Sequence, residues 1–174
     1  MSEPSEIDVW QGEIAELEVD ALVVGASESL FMTAGAAAAV KRHGGDAIER
    51  AAVDQGPIQP GSAIATGGGT LAAPYVIHAV AVGHDRIGDP ARLRSAVAAA
   101  IALCPPLQLH RIAVALLGTE YGAFTVDEAA DLLVSALVEG AADAGLESVV
   151  IATLHPSETH AVAEALARHR ARVG

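Results

Sequence analysis

A chain of 174 residues, 52% hydrophobic and 18% charged, is long enough for one domain with a sizeable core and too apolar to be disordered. The net charge of −12, from 10 basic against 22 acidic residues, argues against nucleic acid or an anionic membrane as partner. Affinity for those surfaces comes largely from Lys and Arg, whereas a small phosphorylated ligand stays compatible because backbone amides can hold one or two phosphates.

Strand and helix signals alternate along the chain. Ile7 to Trp10 and Ala21 to Val24 read as strands. The second stops abruptly at Gly25-Ala26-Ser27, and a small-residue run, Thr33 to Ala39, leads into a helix from Ala36 to Arg42. A strand that ends in such a loop leaves free N–H groups at a positive helix end, an anion site without basic side chains. Gly44-Gly45 stops that helix, Asp46-Ala47-Ile48-Glu49 resembles a capping box opening the next, and Gly56-Pro57 closes it. Ser62 to Thr66 and Tyr75 to Val82 read as strands of a hairpin around Gly67-Gly68-Gly69. Asp89-Pro90 sets an N-cap and first-turn proline for a helix to about Leu103, ended by Pro105-Pro106. Ile112 to Leu116 is an apolar strand. Thr125-Val126-Asp127-Glu128 is a second capping box, whose helix runs to Ala144 before Gly145. Ser148 to Leu154 is the last strand and Ser157 to Arg170 the last helix.

Continuous apolar strands such as Ile112-Ala113-Val114-Ala115-Leu116 have the pattern of strands buried on both faces, as in a mostly parallel sheet covered by helices. Ligands of such sheets bind outside the carboxyl ends of strands, which singles out Gly25 to Ala39 and Gly118 to Thr125. Aromatics are only 3%, so the core must come from Ala, Val, Leu and Ile. The single cysteine, Cys104, excludes an internal disulfide framework and a cysteine-rich zinc site. No apolar run is long enough to span a bilayer, and Met1-Ser2-Glu3-Pro4-Ser5-Glu6 lacks the features of a secretory signal. A cytoplasmic protein fits these facts best, with no cofactor or metal expected and no oligomeric state implied.

Several segments, taken in order, resemble the macro domain family, which binds ADP-ribose. They are Gly12-Glu13-Ile14, Asp20-Ala21-Leu22-Val23 with Val24-Gly25-Ala26-Ser27, the Leu30 to Gly44 loop and helix, Gly61-Ser62-Ala63 with Thr66-Gly67-Gly68, Tyr75-Val76-Ile77-His78, and Leu117-Gly118-Thr119-Glu120-Tyr121-Gly122 followed by Glu128-Ala129-Ala130. The resemblance runs from about residue 7 to 155. It implies one domain over residues 1–174, a three-layer α/β/α sandwich with a mixed, mostly parallel sheet. It also implies a ligand set of Glu13, Ile14, Ala26, Ser27, Gly35, Ala36, Gly118, Thr119, Glu120, Tyr121, Gly122, Ala123 and Phe124. Adenine would lie at Glu13 and Ile14, the diphosphate between Gly35-Ala36 and Thr119 to Ala123, and the distal ribose near Ser27.

The chain departs from the family pattern at defined positions. The two family asparagines are Val24 and Ser27, the glycine triplet is Thr33-Ala34-Gly35, the aspartate of the hydrolytic branch is Ala37, and a glycine of the second loop is Glu120. Ala37 cannot act as a base or orient a water. Glu120 would repel a diphosphate unless its side chain turns to solvent. These changes lower the case for hydrolysis more than the case for binding. Three readings follow: a divergent binding module for ADP-ribose or a related adenine nucleotide, a hydrolase removing ADP-ribose or acyl groups from its conjugates, and a fold that has lost its ligand and acts by protein association.

Several residues have plainer roles. Glu13 can be a simple first-turn acid. Ser27 is the one candidate nucleophile, but the nucleophile elbow needs a glycine where Ser29 stands. His78 in an apolar strand reads as a core histidine, His155 and His160 are too far apart in helical phase to share a ligand face, and Cys104 reads as a small buried apolar residue. Tyr121 and Phe124 place two of the few aromatics in one loop, Tyr121 suited to stacking on a ligand and Phe124 to plugging the loop against the sheet.

Overall fold

The computed structural model describes residues 5–173. The acidic opening Met1-Ser2-Glu3-Pro4, weighed above against a secretory signal, lies outside them, as does Gly174. In chain order the elements are β1 (Glu6–Gln11), β2 (Ala21–Gly25), α1 (Gly35–Gly44), α2 (Asp46–Val53), β3 (Ala63–Gly67), β4 (Tyr75–Ala79), α3 (Pro90–Ala102), β5 (Arg111–Ala115), α4 (Val126–Gly140), β6 (Ser148–Thr153) and α5 (Pro156–Val173). Short 3-10 turns follow β1 at Ile14–Glu16 and β5 at Glu120–Gly122.

The strands form one sheet in the order β1-β6-β5-β2-β4-β3. All neighbours are parallel except β3, which runs antiparallel to β4 at the edge. This is the mixed, mostly parallel sheet that the sequence implies. Each continuous apolar strand splits into two alternating sets, because successive side chains point to opposite faces. Leu22 and Val24 pack with Met32, Val40 and Ile48 under α1 and α2. Ala21 and Val23 pack with Leu93, Val97, Leu133, Leu137 and Val162 under α3, α4 and α5. The sheet is therefore the middle layer of three.

Helix starts show which local signals hold. The Asp89 carboxylate accepts the Ala91 N–H at 2.9 Å, with Pro90 at the first turn of α3. Thr125 and Glu128 form the reciprocal capping box of α4, each bond 3.2 Å. The other expected box is not made. Gly45 is the N-cap of α2, with no side-chain cap, and Glu49 points elsewhere: it accepts the Met32 N–H at 2.7 Å and the Lys41 ammonium at 2.8 Å. A charged donor and a buried amide outcompete the local cap. Several boundaries also move, and α5 extends to Val173 rather than Arg170. The β4 ladder ends at Ala79 and not Val82, since its edge partner β3 begins at Ala63. Helix α4 ends at Gly140, and looser turns carry the chain to Gly145, whose φ of +75° suits glycine.

Candidate functional site

The chain leaves β2 toward β4 on one side of the sheet and leaves β5 toward β6 on the other. The strand order thus reverses between β2 and β5, the kind of switch point where a crevice opens. A cleft of about 410 Å³ lies there, across the carboxyl ends of β2, β5 and β6.

Helix α1 forms one wall. Gly35, with φ +59°, turns the chain into the helix, and a Cβ there would meet nothing within 4 Å. The N-cap is Ala34, which offers no side-chain acceptor, so the first amides of α1 have no side-chain cap. They open onto the cleft through Gly35, Ala36 and Ala37. Alanine is a poor N-cap and leaves those donors for solvent or a ligand. The bonds from Glu49 to Met32 and Lys41 pin the loop leading to this helix, and they hold the Glu49 carboxyl below the usual carboxylate range, Lys41 being the main cause.

The loop after β5 forms the facing wall. The Glu120 side chain turns inward and not to solvent, contrary to the condition its charge set. One carboxylate oxygen accepts the Gly118 N–H at 2.7 Å, and the other fills the space that a Cβ on Gly25 would need. Burial pushes the Glu120 carboxyl up, opposed by its own N–H and that of Gly118. Tyr121, an exposed residue, sits at φ +57°, and the Arg86 guanidinium lies 4.9 Å from its ring centroid.

At the far end stand Gly12, Glu13 and Ile14, the last buried. Glu13 Oε1 is buried and has no hydrogen-bond partner. Beside it, the start of α5 is closed by Glu158, which accepts the Leu154 and His155 N–H groups at 3.2 and 3.0 Å. The Thr153 hydroxyl lies 2.7 Å from that of Thr159, which is 2.9 Å from Gln11 Oε1, tying β6, α5 and β1 together.

Of the sequence-derived set, Glu13, Ile14, Ala26, Ser27, Gly35, Ala36, Thr119, Glu120 and Tyr121 line the cleft together. Gly118, Gly122, Ala123 and Phe124 do not. Gly118 contributes its amide to Glu120, and Phe124 is buried beneath the loop beside Gly118 and Gly88, as a plug. Sequence reasoning missed the wall from β6 and α5 (Leu154, His155, Glu158) and the exposed ring of Phe31 beside the first loop. The carboxyl-end rule, applied to β6, could have found the first of these. The Ser27 hydroxyl lies 3.1 Å from that of Ser29, and no base among the described residues hydrogen-bonds it. His78 is buried in β4, bonded to Thr66, and is not part of the lining. No Lys or Arg lines the cleft, so main-chain N–H groups, the hydroxyls of Ser27, Thr33, Thr119 and Tyr121, and His155 are the donors open to an anion there.

A family model described as Macro domain matches residues 23–133. A macro domain-containing protein of Cupriavidus necator is 38% identical over 145 residues, spanning 79% of this chain and 83% of its own length. The chain belongs to the macro domain family. An uncharacterized protein of Mycobacterium tuberculosis is 34% identical over 135 residues, 76% of this macro domain, which spans 37% of that relative's length. The fold is shared with an Oceanobacillus iheyensis macrodomain with MES bound, at TM-score 0.87 and 18% identity over 94% of this chain and 92% of that one. It is shared likewise with a Trypanosoma brucei macrodomain in complex with ADP-ribose, at TM-score 0.85 and 21% identity over 92% and 69%. In this macro domain Val24 belongs to the core under α1 and α2, and Ala37 is itself buried there.

Proposed function

We propose that this macro domain binds ADP-ribose or a related adenine nucleotide in the cleft and works as a binding module. The observation that carries this is the start of α1: a helix N-terminus without a side-chain cap, opening onto a cleft that no Lys or Arg lines. Positive helix ends and free amides favour a phosphate there without a cation. The diphosphate lies between Gly35-Ala36 and the Thr119 to Tyr121 segment, and the distal ribose lies toward Ser27. The adenine lies toward Glu13 and Ile14, where an unpartnered carboxylate oxygen suits an exocyclic amine. The Trypanosoma brucei macrodomain of the same fold was crystallised with ADP-ribose, which supports the choice of ligand. Neither Ser27, paired with Ser29, nor the buried Ala37 offers a base for a reacting water, which supports binding over hydrolysis.

One observation favours a second reading, a fold that has lost its ligand and acts by protein association. The Gly118 amide already holds the Glu120 carboxylate. Calorimetric titration with ADP-ribose, paired with thermal shift, separates the two. Heat and a raised Tm support nucleotide capture; neither effect at millimolar ligand leaves the second reading standing.

A further inference from the structure

Glu120 is one of three carboxylates that line the cleft, and like Glu13 and Glu158 it has no cationic partner among the described residues. Its two carboxylate oxygens do different things. One accepts the Gly118 N–H at 2.7 Å, and the other lies over Gly25 in the room left by the missing Cβ. Gly25 is the last residue of β2, and Glu120 follows β5, the neighbouring strand. The carboxylate therefore bridges the gap between the two strand ends from within the cleft.

A carboxylate and a phosphate offer an N–H the same kind of anionic oxygen acceptor. Both cannot occupy the same few ångströms, and two anions held that close repel strongly away from water. We propose that Glu120 is a specificity-determining residue: its carboxylate stands in for one ligand phosphate on the second loop, so a diphosphate ligand must displace it and an uncharged nucleoside need not. This rests on the cleft being an adenine nucleotide site. The seat is a weak one. Burial raises the carboxyl more than two N–H groups lower it, so the charge is held at a net cost and no salt bridge anchors it.

Gly25 supplies a second way to test the same contact. It does not adopt a left-handed φ, so alanine fits the backbone. The added methyl would collide with the tip of Glu120, a flexible side chain, while Leu117 Cδ2 at 3.6 Å is an ordinary contact. Gly25→Ala thus evicts the carboxylate without changing a residue of the second loop.

The test is calorimetry of ADP-ribose and adenosine against the wild type, Glu120→Ala, Glu120→Gln, Gly25→Ala and the Gly25→Ala/Glu120→Ala double variant. Glu120→Ala is expected to tighten ADP-ribose roughly tenfold and to leave adenosine within about twofold. Gly25→Ala shifts ADP-ribose the same way, and adding it to Glu120→Ala brings little more, because both remove one contact. Glu120→Gln keeps an acceptor for Gly118 and gives a smaller gain, which preserves the test if the alanine variant fails to fold. If the wild type binds ADP-ribose and the variants bind it no better, or gain equally for adenosine, the Glu120 proposal is overturned while the nucleotide site stands. If no protein in the set binds either ligand, the nucleotide site is overturned and this proposal with it.

Discussion

His78 Nε2 lies 2.9 Å from the Thr66 hydroxyl across the β3–β4 pair, and both residues are buried. The other ring nitrogen, Nδ1, is buried without a partner. An imidazole so placed has nothing to balance a positive charge, and burial pushes its pKa from 6.5 down to about 4. The unfolded chain takes up this proton near pH 6.5, and the folded chain only near pH 4. Stability from this residue is thus fully present above the higher value and is lost as pH falls toward the lower, by about 3 kcal/mol in all. Urea midpoints measured from pH 7.5 to 4 should fall more steeply for the wild type than for His78→Gln, which starts lower but does not titrate. Parallel slopes would count against the assignment.

Cys104 gives a prediction of inertness. Its thiol is fully buried, 3.6 Å from the Ala100 carbonyl, and burial pushes it up to about 11. The thiolate is the reactive form, so almost none is present or accessible at neutral pH. A thiol reagent should leave the native protein unlabelled and label it fully in denaturant. Rapid native labelling would mean that the end of α3 opens locally.

Glu49 links the fold to the site. Its carboxylate joins the Met32 amide, just before the loop into α1, to Lys41 on α1 itself. Glu49→Ala removes both bonds and leaves the Met32 N–H unmet, so Tm should fall. ADP-ribose affinity should drop severalfold as well, because the amides of α1 lose their fixed position. Glu49→Gln keeps an acceptor for Met32 and should recover most of the affinity. A lower Tm with unaltered affinity would show that the first loop needs no such anchor.

What could be read in the sequence was what local chemistry decides. Thr125 and Glu128 cap α4 because each finds its partner three residues away, inside a pattern that needs no other part of the fold. The strands of the central sheet were legible because Ala21 to Val24 and Ile112 to Ala115 are apolar on both faces. Glu49 was misread because its winning partner, Met32, is seventeen residues away and reaches it only through the turn of α1. The wall of Leu154, His155 and Glu158 was missed for a similar reason. It belongs to the cleft only because β6 inserts between β1 and β5, and strand order is not written in chain order. The direction of Glu120 likewise depends on the empty Cβ position of Gly25 across the cleft.

Glu13 tests which end of the cleft takes the base. Its Oε1 atom is a buried acceptor without a donor, beside Ile14 and the entry to the 3-10 turn Ile14–Glu16. An exocyclic amine is a donor that would meet this need, whereas the carbonyl of hypoxanthine would set one acceptor against another. A site built to bond a given group rejects the analogue that lacks it, because a buried polar atom is left unpaired. The wild type should therefore prefer ADP-ribose over its inosine counterpart by roughly tenfold or more. Glu13→Ala should weaken ADP-ribose and erase most of that preference, leaving the diphosphate contribution from α1 in place. If both ligands bind the wild type equally, or if the preference survives in Glu13→Ala, the amine is not read by this carboxylate and the base lies elsewhere in the cleft.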